Sequence, residues 1–110
     1  LYGLKSCDTC RKARRWLDTH GAEYRFHDVR VDGLAEARVR AWADQVGWEV
    51  LLNRRSTSWR RLPQADKAND AGGVIALMAR RPELIKRPVL ETGSRLLVGF
   101  REGQYQSLLR

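Results

Sequence analysis

Apolar and polar positions along this chain follow two different periods, and the switches between them divide it into elements. Tyr2 and Leu4 alternate around a glycine, so residues 1–4 read as a short strand. Residues 5–9 are polar and read as a turn. Over residues 10–20 the period becomes helical. Ala13, Trp16 and Leu17 fall at i, i+3 and i+4, and Arg11, Lys12, Arg14 and Arg15 take the other sides. Gly21 follows, where a C′ residue ends a helix. Residues 23–29, with Tyr24, Phe26 and Val29, read as a second strand. Strand, helix and strand in this order predict a βαβ unit with a parallel strand pair and a right-handed crossover.

Beyond the Asp32-Gly33 turn, Leu34, Ala37, Ala41, Trp42 and Gln45 stand at helical spacing, ending near Gly47. Residues 48–52 are apolar and residues 53–57 polar and basic. A short helical piece holds Trp59 and Leu62 before Pro63. Residues 70–80 predict another helix with Val74, Leu77 and Met78 on one side. Pro82 and Pro88 bracket residues 83–87. Residues 89–91 and 95–98 predict two strands joined by Thr92-Gly93-Ser94, hence a hairpin, and residues 104–109 a last helix with Tyr105, Leu108 and Leu109 apolar. The expected fold is α/β: a thioredoxin-like core (βαβ…ββα) with a mostly helical insert at about residues 34–82, within one domain spanning 1–110.

Composition narrows the class. The 110 residues are 43% hydrophobic, which suits a globular domain with one core rather than a disordered chain. No apolar run approaches the ~20 residues that span a bilayer. The net charge is +8, from 21 basic and 13 acidic residues. Such a charge admits nucleic acid as a partner, but the arginines are scattered and no aromatic-interleaved RNA motif or zinc-finger spacing accompanies them. A solvated basic face or a site for an anionic substrate is the expected reading. The expected setting is a cytoplasmic monomer.

The two cysteines sharpen the picture. Cys7 and Cys10 enclose only Asp8 and Thr9. A disulfide closing so small a loop constrains the unfolded chain little, so stability does not explain the pair. Zinc needs about four ligands, and only His20 and His27 remain, without the close spacing of a zinc motif. Redox chemistry is the expected use. Cys7 stands after a strand and before a helix, where unpaired backbone N–H groups and the helix dipole favour thiolate over thiol. There a cysteine pKa falls to roughly 3.5–7.5. Lys5, Arg11 and Lys12 add positive potential. Cys10, one turn on, has two open roles: a resolving thiol that attacks a mixed disulfide at Cys7, or a small buried hydrophobe. Pro88 opens the third strand, where thioredoxin-like folds carry a cis-proline facing the cysteine; the alternative is an ordinary trans proline on an edge strand.

Residues 2–14 (YGLKSCDTCRKAR), 51–57 (LLNRRST) and 84–88 (LIKRP) together resemble the arsenate reductase (ArsC)-like family, and the resemblance runs nearly end to end. Residues 24–28, Gly47-Trp48 and residues 53–62 look most like its YffB branch. The Spx transcription regulators, a neighbouring branch, share the Cys-x-x-Cys-Arg-Lys-Ala-Arg run. The resemblance implies a thioredoxin-like core with a helical insert, a reactive cysteine at Cys7, and glutathione with glutaredoxin as electron source. No bound cofactor and no metal are expected. The family's arsenate reductases surround the anion with three arginines. Arg55 matches the first and Arg87 the second. The third falls near Val98-Gly99-Phe100, where no arginine stands, so little arsenate reduction is expected.

The site expected from these observations has Cys7 and Cys10 as catalytic thiols. Arg55, Arg87, Lys5 and Arg11 bind an anionic partner, and Pro88 shapes the facing wall. The two arginines matched to the family would hold the carboxylates of glutathione or steady the thiolate, if they are not plain surface residues. The expected function is a glutathione-dependent thiol reductase; the alternative is an Spx-like redox switch that binds the α subunit of RNA polymerase.

Overall fold

The computed structural model describes residues 1–63, 70–93 and 95–109, the last without its side chain. In order they form β1 (Tyr2–Gly3), α1 (Asp8–Thr19), β2 (His27–Asp28), α2 (Glu36–Val46), α3 (Trp48–Leu51), α4 (Thr57–Arg61), α5 (Ala71–Arg80), a 3-10 turn (Pro82–Leu84), β3 (Val89–Glu91), β4 (Leu96–Val98), α6 (Glu102–Gln106) and a 3-10 turn (Ser107–Leu109). The described residues divide into two compact units. Residues 1–32 and 87–110 make the first, and residues 33–86 the second.

The first unit is built on a sheet of order β2-β1-β3-β4. β1 runs parallel to β2, with Tyr2 opposite His27 and Gly3 opposite Asp28. β3 runs antiparallel to β1 through Tyr2 and Val89, and β4 antiparallel to β3 from Val89–Val98 to Glu91–Leu96. This mixed sheet, with α1 as the crossover, is the expected thioredoxin-like core. α1 exists because Cys10, Ala13, Trp16 and Leu17 supply one continuous buried stripe. It ends as Gly21 predicts. Gly21 adopts φ +67°, its N–H reaches the Asp18 carbonyl, and the Ala22 N–H reaches Leu17 at 3.0 Å, the paired bonds of a Schellman cap. Trp16, Leu17, Leu90, Leu97 and Tyr105 form the core beneath, with Tyr24 and Phe26 packed against it. Tyr105 meets Trp16 and Phe100 edge-on, an aromatic arrangement that adds to simple area burial.

The strand expected over residues 23–29 is shorter than its alternation suggests. Only His27 and Asp28 pair with β1. Tyr24 and Phe26 do turn inward, but alternation reports which side chains bury, not which backbones find a partner. The closing helix likewise starts at Glu102 rather than 104, and its last turn tightens to 3-10 geometry. The hairpin closes through Thr92, whose N–H donates to the Arg95 carbonyl at 2.9 Å and whose hydroxyl accepts the Arg95 N–H. Ser94, read as part of that turn, lies outside the described residues.

The second unit is mainly helical. α2 packs on α3 and α5, and α5 on the 3-10 turn that follows it. Ser56 and Asp70 cap α4 and α5 by accepting the N–H groups of Trp59 and Gly73. α2 buries Trp42 as its spacing predicts, but the rest of the expected face is corrected: Ala37, Ala41 and Gln45 are exposed, while Val39 is buried. The larger side chains win the inward face because burying them removes more apolar area from water. The short helical piece expected to hold Trp59 and Leu62 is α4, with Leu62 as its C-cap; Trp59 is half-buried and Leu62 buried. Among the described residues no helix is long and apolar enough to cross a membrane.

Candidate active site

Cys7 is the N-cap of α1, so the helix begins at Asp8, two residues before the apolar period starts. Asp8 in the first turn favours that start through the helix dipole. The preceding Lys5–Ser6 turn is closed by the Cys7 N–H donating to the Leu4 carbonyl at 3.1 Å. Arg11 braces the turn from the helix: its Nε donates to the Lys5 carbonyl at 3.3 Å and its Nη2 to the Ser6 carbonyl at 3.2 Å. Lys5 and Arg11 are exposed.

Cys7 is half-buried and Cys10 fully buried, and both are free thiols. Burial opposes ionisation of Cys7. The backbone N–H and thiol of Cys10, with the Arg87 guanidinium, outweigh it and hold the Cys7 pKa below the ordinary thiol value. The neutral Cys7 side chain makes no cap hydrogen bond; the charged sulfur is what those donors favour. Cys10 moves the opposite way. Burial is the largest cause, a nearby Leu4 N–H offsets part of it, and the Cys7 charge adds to it, so its pKa is pushed up to about 12. Two thiols one turn apart are thus driven in opposite directions, Cys7 toward ionisation and Cys10 away from it.

Gly3 makes room for this pair. A β-carbon there would stand 2.6 Å from the Cys10 sulfur and 3.3 Å from its Cβ. Behind it, the Arg14 guanidinium lies 4.3 Å over the Phe26 ring, a cation–π contact.

Arg87 and Pro88 enter from the start of β3. Their peptide bond is cis. Pro88 is buried, and its carbonyl accepts the Gly99 N–H at 2.8 Å, tying the start of β3 to the end of β4. The structure therefore brings Cys7, Cys10 and Arg87 together. Arg55 belongs to the second unit, on an exposed turn whose N–H donates to the Asn53 Oδ1. Near the position of the family's third arginine, Arg95 donates to the Ser107 hydroxyl at 2.6 Å, and Arg101 is the exposed N-cap of α6. Among the described residues no three His, Cys, Asp or Glu side chains converge as a metal site requires.

Two residues of this site escape the sequence reading. Gly3 looks like an ordinary strand glycine. Asp28 falls in the expected strand over residues 23–29 as one of its polar positions, yet it is the one buried charged side chain among those described. The signal for Asp28 was its place at a strand end ahead of consecutive backbone N–H donors, the setting of an Asx turn.

The ArsC family profile matches residues 2–108. The chain is 43% identical over 108 residues to an uncharacterized protein of Haemophilus influenzae, covering 97% of this chain and 95% of the relative. It is 28% identical to the global transcriptional regulator Spx of Streptococcus pyogenes serotype M6, covering 99% of this chain and 83% of that one. Among solved structures, a YffB protein superposes with a TM-score of 0.94 at 45% identity, over 99% of this chain and 96% of that one. An arsenate reductase (ArsC) related protein from Brucella melitensis gives 0.77 at 43% identity, over 99% and 92%. A thioredoxin-like sheet, a cysteine at the start of its first helix and a profile match across almost the whole length lead to one assignment: this chain belongs to the ArsC family.

Proposed function

We propose that this protein is a glutathione-dependent thiol reductase of the cytoplasm, acting as a monomer with Cys7 as nucleophile. Membership of the ArsC family and likeness to arsenate reductase-related structures support thiol redox chemistry in general. The observation that carries the finer reading is the opposite displacement of the two thiol pKa values, Cys7 down and Cys10 up to about 12.

The Cys7 thiolate attacks one sulfur of a substrate disulfide. A Cys7–substrate disulfide forms and the other sulfur leaves as a thiolate, which takes a proton. A glutathione thiolate then attacks the mixed disulfide at Cys7, releasing the substrate thiol and leaving Cys7 bonded to glutathione. A second glutathione thiolate attacks that bond, freeing Cys7 and forming oxidised glutathione. Two glutathiones are oxidised for each substrate disulfide reduced. Glutaredoxin, as partner, removes glutathione in the same last step.

Cys10 is a poor resolver in this scheme. With a pKa of about 12, roughly one part in 10⁵ is thiolate at pH 7, and the thiolate is the attacking form. Neutralising Cys7 in a mixed disulfide relieves part of this, but burial, the largest cause, remains. Cys10 instead keeps its proton and donates a hydrogen bond to the Cys7 thiolate. Arg87 adds positive charge beside the sulfur and offers a guanidinium fork to a carboxylate of glutathione. Lys5 and Arg11 are further basic groups for the anionic partner. Pro88 supplies an apolar wall.

Intact mass after exposure of the reduced protein to oxidised glutathione tests this, with the modified sulfur mapped by digestion. A stable glutathione adduct on Cys7 is the expected result. An unmodified protein refutes the reading. An internal Cys7–Cys10 disulfide favours a second reading, an Spx-like redox switch, for which the Cys10 thiol directed at Cys7 and the kinship with Spx regulators speak. Capture by the C-terminal domain of the polymerase α subunit tests that alternative.

A further inference from the structure

We infer that Asp28 is the positioning residue of the Cys7 site: its buried carboxylate fixes the Lys5–Ser6 turn and thereby holds Cys7 at the helix start. This rests on the reading of Cys7 as the reactive thiolate.

Asp28 sits at the end of β2, opposite Gly3, and is 6% exposed. A buried carboxylate is costly unless its oxygens are satisfied. Here backbone donors satisfy them. Oδ1 accepts the N–H groups of Arg30 at 2.9 Å and Val31 at 3.2 Å. Oδ2 reaches across the strand pair to the N–H of Lys5 at 3.2 Å. The Asp28 N–H donates to Asp32 Oδ2, and the Asp32 N–H to the Asp28 carbonyl, so the carboxylate is itself held from behind.

Lys5 is the first residue of the turn that delivers Cys7. The turn is therefore clamped on both sides: its leading N–H by Asp28, its two carbonyls by Arg11. The Cys10 N–H favours the Cys7 thiolate only if the sulfur stays in register with it. Loss of the Asp28 clamp lets the turn relax, and the thiolate loses donors.

The sign of the effect separates positioning from simple electrostatics. Removing a negative charge near a thiol lowers its pKa. Loosening the turn raises it. A merely structural Asp28 changes the melting temperature and leaves the thiol of the folded protein as it was.

The test measures iodoacetamide alkylation of Cys7 against pH, below the melting temperature, in the wild type, Asp28→Asn and Asp28→Ala. Asn keeps one acceptor but turns an NH2 toward a backbone donor. Both variants should move the Cys7 profile to higher pH. At a pH below both midpoints, alkylation slows about tenfold for each pH unit the midpoint rises. An unchanged or lowered Cys7 pKa in a folded variant overturns the proposal. If neither variant folds, the Cys7→Ser protein supplies the measurement. In its backbone amide spectrum from pH 6 to 2, the residue-7 amide should move with the Lys5, Arg30 and Val31 amides at one midpoint. A residue-7 amide that ignores that midpoint overturns the proposal. An ordinary Cys7 pKa in the wild type defeats the thiolate reading instead, while the amide titration still decides the Asp28 coupling.

Discussion

The sulfur of Cys10 lies 2.6 Å from the point where a β-carbon on Gly3 would stand. Strand β1 and helix α1 therefore touch through a side chain on one side and bare backbone on the other. Cys10 has no room to retreat, since it is fully buried. Gly3 adopts no positive φ, so the demand for glycine there is steric and comes from the thiol.

Gly3→Ala should destabilise the protein by about 1–3 kcal/mol, the usual cost of overpacking a filled core. For a domain near this size that is a fall in melting temperature of roughly 4–20 °C. Combining it with Cys10→Ala should recover part of the loss, because the contact at 2.6 Å goes while that of the Cys10 Cβ at 3.3 Å stays. Thermal unfolding of both single variants and the double variant checks this, and strictly additive losses count against it.

Arg87→Met should raise the Cys7 pKa. The guanidinium lowers it both as a hydrogen-bond donor and as a charge, and methionine retains the length of the stem without either. At a pH below both midpoints Cys7 alkylation should be slower in the variant, about tenfold for each unit the pKa rises. Alkylation of the wild type at neutral pH should modify Cys7 and spare Cys10. Peptide mapping after a short pulse reads both outcomes, and early labelling of Cys10 contradicts the split between the two thiols.

Much of this site was legible because local chemistry and local sequence coincide. Cys7 and Cys10 bridge a change from alternating to helical period, and Gly21 closes that helix as its position requires. Pro88 opens the strand that follows the helical insert, and the peptide preceding it is cis. What stayed hidden depends on partners distant in sequence. Asp28 is 23 residues from the Lys5 N–H it accepts, and no periodicity announces a side chain that satisfies backbone. The inward face of α2 is legible at Trp42 but not at Val39, because alanines fit either side of a helix and Ala37 and Ala41 suggest a stripe that Val39 shares with Trp42 instead. Residues 23–29 show the same limit: their alternation is real, but sheet pairing is a property of two strands.

Stability should fall as pH rises above about 8.5, and Cys10 is one cause. Its folded pKa, about 12, stands above the ordinary thiol value of about 8.5. Between those values the folded state holds a proton that the unfolded chain has released, so each step up in pH favours unfolding. The stabilisation is complete below the unfolded value and disappears as pH rises through the folded one. Tyr105, whose pKa burial also raises, acts in the same direction at higher pH, so the comparison belongs between pH 8 and 10. There the Cys10→Ala variant should lose melting temperature less steeply than the wild type. Parallel slopes contradict the assignment.

Arsenate should be a poor substrate. An oxyanion site gains geometry and charge from each guanidinium that meets it, and the arsenate reductases of this family use three. Here Arg87 stands beside Cys7, whereas the third position falls near Val98-Gly99-Phe100 and carries no arginine. The two neighbours do not substitute. Arg95 is committed to the Ser107 hydroxyl, which in turn donates to the Gln104 carbonyl, and Arg101 begins α6 in solvent. Losing one preorganised donor typically costs a factor of about 10²–10³ in turnover. A coupled assay with glutathione, glutaredoxin and NADPH should therefore show arsenate turnover about a hundredfold or more below that of a family arsenate reductase carrying all three arginines, measured side by side. Comparable arsenate rates for the two enzymes would mean that another cation takes the role of the third arginine, and Arg55→Ala, Arg95→Ala and Arg101→Ala variants in the same assay would identify it.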